Sequence, residues 1–494
     1  MATRNLTLMT DLYQLTMMQG YFRENKNNTV IFDMFFRTNP CNGGYAVCAG
    51  LEQVIDYIND LHFDSDAIDY LRSTGLFGED FLEYLRNFKF TGDIYAIPEG
   101  TVVFPHEPLL KVVAPAIEAQ LVETTILNII NHQCLIATKA ARVVHAAQGG
   151  GIMEFGLRRA QGPDAGIYGA RAAMIAGCVS TSNVLAGQLF NVPITGTHAH
   201  AWIMNFPDEL TAFRTYAKIY PNKCILLVDT YDTLKSGVPN AIKVFKEMRE
   251  AGIPLTFYGI RLDSGDLAYL SKEAKKMLDA EGFTDAIISA SSDLDEYLID
   301  SLKNQGATIN SWGVGTNMIT SSNWSAFGGV YKLAAVQNED GSWTPKIKLS
   351  ENVAKVTNPG NKTVFRIYSK VHKKIIADVI SLADEVIDPE EPLLLFDPVS
   401  TWKKTRLKGG SYVVRELLVP VFKNGQCIYK TPGVMEIRDL CLKEQNTLWD
   451  ETRRLVNPHH VYIDLSQKLW DMKHELIDRI SEEKARNNDY LKEN

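Results

Sequence analysis

The residues of this chain able to do chemistry fall at the ends of apolar runs. The stretch VPITGTHAHAWIMNF, residues 192–206, has its polar centre at Gly196-Thr197-His198-Ala199-His200. An apolar run led by a proline predicts a buried strand, and an extended chain would turn His198 and His200 to the same side. Imidazole titrates near neutrality and is a good nucleophile toward phosphorus. The pair therefore suits acid–base work or the carriage of a phosphoryl group. The alternative is a pair of hydrogen-bonded structural histidines.

Other runs end in a similar way. Asp263-Ser264-Gly265-Asp266 opens a predicted helix, where Asp263 and Asp266 can hold a diol or a divalent metal, or where Asp263 or Ser264 simply caps the helix. Arg261 lies two residues before Asp263 and shares its face of the strand, and a guanidinium there can grip a planar anion through two parallel hydrogen bonds. Gly313-Val314-Gly315-Thr316 and Ala326-Phe327-Gly328-Gly329 are small-residue loops whose backbone N–H groups suit a phosphate. Glu154-Phe155-Gly156-Leu157-Arg158-Arg159 adds two cations and an aromatic ring. Together these groups describe a site for a phosphorylated sugar beside a flat anionic ring.

Such a set must be gathered by a repeating scaffold. From residue 150, strand-like runs recur at 151–155, 192–197, 224–230, 255–263, 286–293, 309–316 and 329–336, with helix-like runs between them. Strands alternating with helices predict parallel βαβ units, and this number of them predicts a barrel or a large open sheet. In a barrel the strand ends converge on one mouth. The endings in question are Glu154 and Arg158, Thr197 and His200, Asp229 and Thr230, Arg261 and Asp263, Ser291 and Asp293, and Gly315 and Thr316.

The N-terminal part predicts α+β structure. Residues 10–22 pattern as a helix with Leu12, Leu15, Met18 and Phe22 in a stripe and Tyr13 off it, either a surface tyrosine or an aromatic plate. Residues 29–37 pattern as a half-buried strand, 93–114 as a proline-broken, sandwich-like sheet, and 117–147 as helix. The expected fold class is α/β with an α+β part. An irregular (β/α) barrel at 149–337 stands beside an α+β sandwich-like domain at 1–148, and a C-terminal segment, 338–494, returns in part to the N-terminal sheet. That segment is expected to end in an amphipathic helix striped with Leu465, Leu469, Met472, Leu476 and Ile480.

Composition sets the class. In 494 residues, 45% are hydrophobic and 22% charged, which describes a globular chain with substantial cores. A net charge of −8 argues against a nucleic-acid surface. The opening residues lack the apolar core of a signal peptide, and no charge-free apolar run reaches membrane-spanning length, so a cytoplasmic protein with no membrane partner is expected. Seven scattered cysteines without a C-x-x-C pair predict reduced thiols, and the spacing of Cys427, Cys441, His459 and His460 fits no standard metal pattern.

Taken in order, TDLYQLTMMQGYF, EFGLRRAQGPDAG, ITGTHAHAW, GIRLDSGDL, GVGTNMITS and GGVYKL closely resemble the motifs of nicotinate phosphoribosyltransferases. The resemblance spans roughly residues 6 to 365. It implies transfer of phosphoribosyl from 5-phosphoribosyl 1-diphosphate to nicotinate in NAD salvage, coupled to ATP hydrolysis through a phosphohistidine at His200. It further implies a homodimer with its sites at the interface, with Tyr13 donated by the other subunit, and the charge on the departing diphosphate calls for magnesium or manganese to help it leave. By the same resemblance Tyr13 and Phe155 flank the pyridine ring. Arg261 grips the carboxylate with Thr197 nearby, Asp263 holds ribose hydroxyls, and Gly315, Thr316, Gly328 and Gly329 cradle the 5-phosphate, while Arg158 adds a cation at the mouth. Nicotinamide-using relatives carry Asp directly after the Gly-Thr, where this chain has His198, and an acid there would repel a carboxylate. Nicotinamide or quinolinate as acceptor, a Schiff-base aldolase using Lys332, and a metabolite sensor without turnover are the competing expectations.

Overall fold

In this computed structural model, residues 4–350 and 355–492 are described, with side chains through 483. The chain forms two compact units. One contains residues up to Cys134, Ala326–Pro432 and Lys443 onward; the other contains Leu135–Ser325 and Gly433–Leu442.

The second unit is built on six parallel strands in the order Ser180–Thr181, Gly151–Glu154, Ser311–Val314, Ile287–Ala290, Tyr258–Leu262 and Cys224–Leu227. Parallel strands are covered on both faces, so they are apolar without alternation, and all four residues of Cys224–Leu227 are buried. Three of this unit's helices start on aspartate. Asp208, Asp266 and Asp295 accept the backbone N–H of Thr211 (2.8 Å), Tyr269 (3.0 Å) and Leu298 (2.7 Å), and so fix where each helix begins.

Two of the seven expected barrel strands differ. Within 192–197 only Ile194 makes a bridge, to Thr181, and residues 195–199 are irregular because their backbone groups have no continuous partner strand. The run at 329–336 is a strand, Val330–Gln337, but it pairs antiparallel with Thr29–Phe35 in the first unit. Its apolar pattern shows a strand without showing which sheet it joins. The short strand Ser180–Thr181 was not expected, being too brief for a periodic signal. The compact units change over at 134/135 and 325/326, and Val330–Gln337, expected within 149–337, is held by the first unit's sheet.

The first unit carries an antiparallel seven-stranded sheet in which Thr29–Phe35 lies between Val330–Gln337 and Leu110–Pro115, while Val419–Lys423 pairs with Asp93–Ala96. A separate four-stranded sheet holds Tyr412–Glu416, Lys362–Ser369, Ile375–Leu382 and Tyr462–Leu465. Leu465, expected on the tail helix, ends the last of these strands, and the helix begins at Gln467. Leu465 and Leu469 pack together with Ile380. All seven cysteines are free thiols, and among the described residues no helix is long and apolar enough to cross a membrane.

Buried charge ties the second unit together. Glu296 is fully buried and meets Lys139 at 2.6 Å and Arg142 at 3.1 Å. Burial alone would raise its pKa, but the two cations hold it below the usual carboxylate value. Glu296→Ala removes this carboxylate from Lys139 and Arg142 and should cost about 3–5 kcal/mol, seen as a lower urea midpoint of the full chain. An unchanged midpoint would show that the triad contributes nothing net.

Candidate active site

The polar strand ends of the second unit meet around one guanidinium. Arg261, 17% exposed, donates from Nε to Ser291 Oγ at 2.9 Å. Its other nitrogens reach Thr197 Oγ1 at 2.7 Å, the His198 carbonyl at 3.4 Å and Asp263 Oδ1 at 3.3 Å. Ser291 Oγ also donates to Asp263 Oδ1 through a short bond. The two-residue spacing of Arg261 and Asp263 does what a strand requires, placing both on one face. Four of the guanidinium's donor positions thus have protein partners, and the outer edge beside Asp263 is what remains for a ligand.

A second cluster adjoins the first. His200 Nδ1 lies 3.1 Å from Thr230 Oγ1, and its Nε2 faces Asp263 Oδ2 at 3.7 Å and Asp229 Oδ1 at 3.9 Å. Asp229 Oδ2 accepts from the Asp263 backbone N–H (2.8 Å) and from Ser264 Oγ (2.7 Å), which locks two adjacent strand ends together. Its Oδ1 is buried and has no hydrogen-bond partner among the described residues. The side chain of His200 is 39% exposed, that of Asp229 only 2%. A half-exposed imidazole backed by buried carboxylate is the arrangement a phosphoryl carrier needs: open on one side, oriented on the other. Asp229, Thr230 and Ser291 stood among the expected strand endings, but nothing in their spacing distinguished them from ordinary strand-end polar residues.

The two histidines take different partners: His200, which opens the short helix His200–Met204, meets the Thr230 hydroxyl, whereas the ring of His198 accepts the Leu227 N–H. His198 is 8% exposed and packs edge-on against Tyr216, with ring centroids 4.7 Å apart. Burial, with Arg261 and His200 nearby, pushes its pKa down to about 4, so it is neutral at physiological pH.

Helix capping falls to Asp266, whose Oδ1 accepts the Tyr269 N–H, and this leaves Asp263 to Arg261 and Ser291. Phe155 follows strand Gly151–Glu154, and its ring lies directly over Gly313: a Cβ there would sit 2.5 and 2.6 Å from ring carbons. Gly315 likewise passes close to the Phe155 carbonyl, where a Cβ would stand at 3.0 Å. Gly313, within strand Ser311–Val314, thus leaves room for the Phe155 ring, and Gly315 for its carbonyl, whatever either does for phosphate. Thr316 begins the four-residue helix Thr316–Ile319, and Arg158 is exposed on the turn Leu157–Arg159. Glu154 is not at the surface. It is fully buried, accepting from Gly156 N at 2.5 Å and Thr181 Oγ1 at 2.6 Å, and burial raises its pKa. In the loop after Ile287–Ala290, Ser292 (φ 101°) and Asp293 (φ 40°) hold left-handed backbone, strain of the kind stored beside functional groups.

The remaining candidates belong to the first unit. Tyr13 is 50% exposed on helix Leu12–Arg23. Gly328 has φ 76° with open space where a side chain would stand. Gly329 is pressed against Asn131, whose side-chain oxygen accepts its N–H at 2.9 Å. Lys332 stands on Val330–Gln337, an antiparallel strand of the first unit rather than a parallel barrel strand, and its Nζ donates to the Tyr331 carbonyl. Among the described residues no three His, Cys, Asp or Glu side chains gather as a metal-holding group.

With this geometry in place, the chain can be compared with known proteins. Models of the nicotinate phosphoribosyltransferase N-terminal domain, family and C-terminal domain match residues 8–131, 151–369 and 361–473. A nicotinate phosphoribosyltransferase of Bacillus subtilis is 46% identical over 484 residues, covering 97% of both chains. The human protein of that name is 31% identical, covering 94% of this chain and 95% of its own. The crystal structure of human nicotinic acid phosphoribosyltransferase superposes with a TM-score of 0.82 at 30% identity, over 94% of this chain and 99% of that one. A nicotinate-nucleotide pyrophosphorylase from Pyrococcus furiosus, at 22% identity and a TM-score of 0.67 over 90% of this chain and 97% of that one, shares the fold.

The contact of Phe155 with Gly313 can be measured by itself. Gly313→Ala should cost about 1–3 kcal/mol by displacing the ring, and much less in a Phe155→Ala background. A coupling below about 0.5 kcal/mol in the double-mutant cycle would separate the two residues.

Proposed function

The chain belongs to the nicotinate phosphoribosyltransferase family, and from that membership we infer that it transfers the phosphoribosyl group of 5-phosphoribosyl 1-diphosphate to the ring nitrogen of nicotinate. The products are nicotinate mononucleotide and diphosphate. The observation that carries the assignment to residues is the cluster in which Arg261 joins Thr197, Ser291 and Asp263 while His200 faces Asp263 and Asp229.

Displacement at the anomeric carbon builds positive charge on the sugar and negative charge on the departing diphosphate, so positioning and charge stabilisation dominate. Asp263 is proposed to hold the ribose hydroxyls with the carboxylate edge that Arg261 and Ser291 leave open. The free edge of Arg261 then takes the nicotinate carboxylate, Phe155 supplies a flat face for the pyridine, and the backbone around Gly315 and Thr316 receives the 5-phosphate. His198 at the place after Gly-Thr is neutral, so no acid there repels a carboxylate. Magnesium or manganese is proposed to enter with the diphosphate, as part of the substrate, and to neutralise the leaving charge.

Coupling to ATP is proposed through His200. Carboxylates facing Nε2 favour a proton on that nitrogen and leave the lone pair on Nδ1, beside the Thr230 hydroxyl, for attack on the γ-phosphorus of ATP, with ADP departing on the bridging oxygen. Phosphorylation would place new negative charge beside the diphosphate position and draw the metal and the mouth together. The half-exposed Tyr13 suits donation to a second copy of the chain, and a homodimer is proposed on the family's pattern, to be read by sedimentation.

The test is product formation from 5-phosphoribosyl 1-diphosphate and magnesium with nicotinate or nicotinamide, with and without ATP. Nicotinate mononucleotide should form faster with ATP; product from nicotinamide alone would move the chain to amide salvage. His200→Ala should abolish the ATP enhancement while slow transfer persists, and full enhancement in that variant would remove His200 from the coupling. Arg261→Ala should raise the KM for nicotinate at least about tenfold, the worth of one charge-assisted hydrogen bond, with a much smaller change for the phosphoribosyl donor. An unchanged nicotinate KM would contradict the grip.

A further inference from the structure

The sheet of the second unit has two open ends, and one side chain spans the gap. At one end, strand Ser180–Thr181 is extended by the bridge from Thr181 to Ile194, where Thr195 N–H donates to the Thr181 carbonyl at 3.0 Å. At the other end stands Cys224–Leu227, whose ladder partner on one side is Tyr258–Leu262. Cys224 and Val228 turn their N–H groups toward that partner, bonding the carbonyls of Phe257 (3.0 Å) and Arg261 (3.2 Å). Alternation turns the Leu227 N–H to the opposite, unpaired edge. A buried N–H without an acceptor is costly, and here the acceptor is Nε2 of His198 at 3.3 Å.

We propose that His198 is a positioning residue whose imidazole takes the place of the missing strand neighbour, latching the irregular segment 195–199 to the edge of Cys224–Leu227. The latch fixes what stands on either side of it. The Thr197 hydroxyl and the His198 carbonyl meet Arg261 at 2.7 and 3.4 Å, and His200 meets Thr230, three residues beyond Leu227, at 3.1 Å. The imidazole works only as the neutral form with its proton on Nδ1, since a protonated ring has two donors and no acceptor. Its environment favours the neutral ring, which is buried against Phe213 and Tyr216 with Arg261 and His200 nearby, while the bond from the Leu227 N–H requires the proton on Nδ1, an atom with no hydrogen-bond partner among the described residues. A strand could not serve in its place, because the chain must leave the sheet here to present both Thr197 and His200. The position that sets the charge beside the acceptor base therefore also carries the seam of the sheet.

The inference rests on the proposed function only for its effect on turnover. Three variants of the full chain separate the atoms involved. His198→Leu keeps much of the volume and removes the acceptor. His198→Gln sets an oxygen near the place of Nε2, whereas His198→Asn sets one near Nδ1. Hydrogen–deuterium exchange over residues 224–228, read by mass spectrometry, reports the latch whatever the substrate. Exchange should quicken about tenfold in the Leu and Asn variants, matching the loss of one hydrogen bond, and return toward the parent rate in the Gln variant. With nicotinate, KM should follow the same order while the phosphoribosyl donor's KM moves little. Equal exchange in the parent and Leu chains, or equal behaviour of Gln and Asn, would overturn the latch. Exchange that follows the order while KM does not would overturn its positioning role. A parent chain without nicotinate turnover would sink the proposed function and leave the exchange result to decide the latch.

Discussion

A guanidinium presents its donors in one rigid plane, and at Arg261 that plane determines where three loops can lie. Bonds from Arg261 reach the loop after Ile194 at Thr197 and His198, the loop after Ile287–Ala290 at Ser291, and its own strand end at Asp263. Removing any one partner leaves donors unsatisfied in a site that is 17% exposed at the arginine. Lysine offers a point charge and three rotatable donors and could not hold these groups coplanar. The geometry of the mouth is therefore a consequence of one side chain's stiffness, with the strands beneath acting as its mount.

Asp229 plays the corresponding part for His200. Its Oδ2 binds the backbone of Asp263 and the hydroxyl of Ser264, so the carboxylate cannot rotate, and its Oδ1 is left facing the imidazole. The two clusters share Asp263, which touches Arg261 through one oxygen and faces His200 with the other. A change of charge at the histidine is thus felt by the carboxylate proposed to hold the sugar, within a few ångströms and in a medium less polarisable than water. Under the proposed coupling, that shared carboxylate would be the physical route by which ATP cleavage bears on phosphoribosyl transfer.

Close backbone approach is the second constraint. Gly313 admits the Phe155 ring, and Gly259, with φ 156°, lies where a Cβ would collide with the Ile287 carbonyl of the neighbouring strand. Gly237 presses the turn before helix Val238–Glu250 onto the Val228 carbonyl, just before Asp229. Each of these glycines trades conformational freedom in the unfolded chain for a backbone separation that no other residue allows. They set the depth at which the functional side chains stand.

From its sequence alone the chain declared its parallel βαβ rhythm, the strand-end placement of Arg261, Asp263 and Asp229, and its family, because period, spacing and motif are local properties. The backbone hydrogen bonds that close a sheet are not local. Nothing in Val330–Gln337 distinguishes a barrel strand from an antiparallel one, and Thr29–Phe35 took it as a partner across some three hundred residues of sequence. Nor could spacing show that 192–197 would be left without a ladder, that His200 would open a helix, or that His198 would accept the Leu227 N–H. Those outcomes depend on which buried donor lacks an acceptor once the strands are assembled, and that is settled only when distant segments meet.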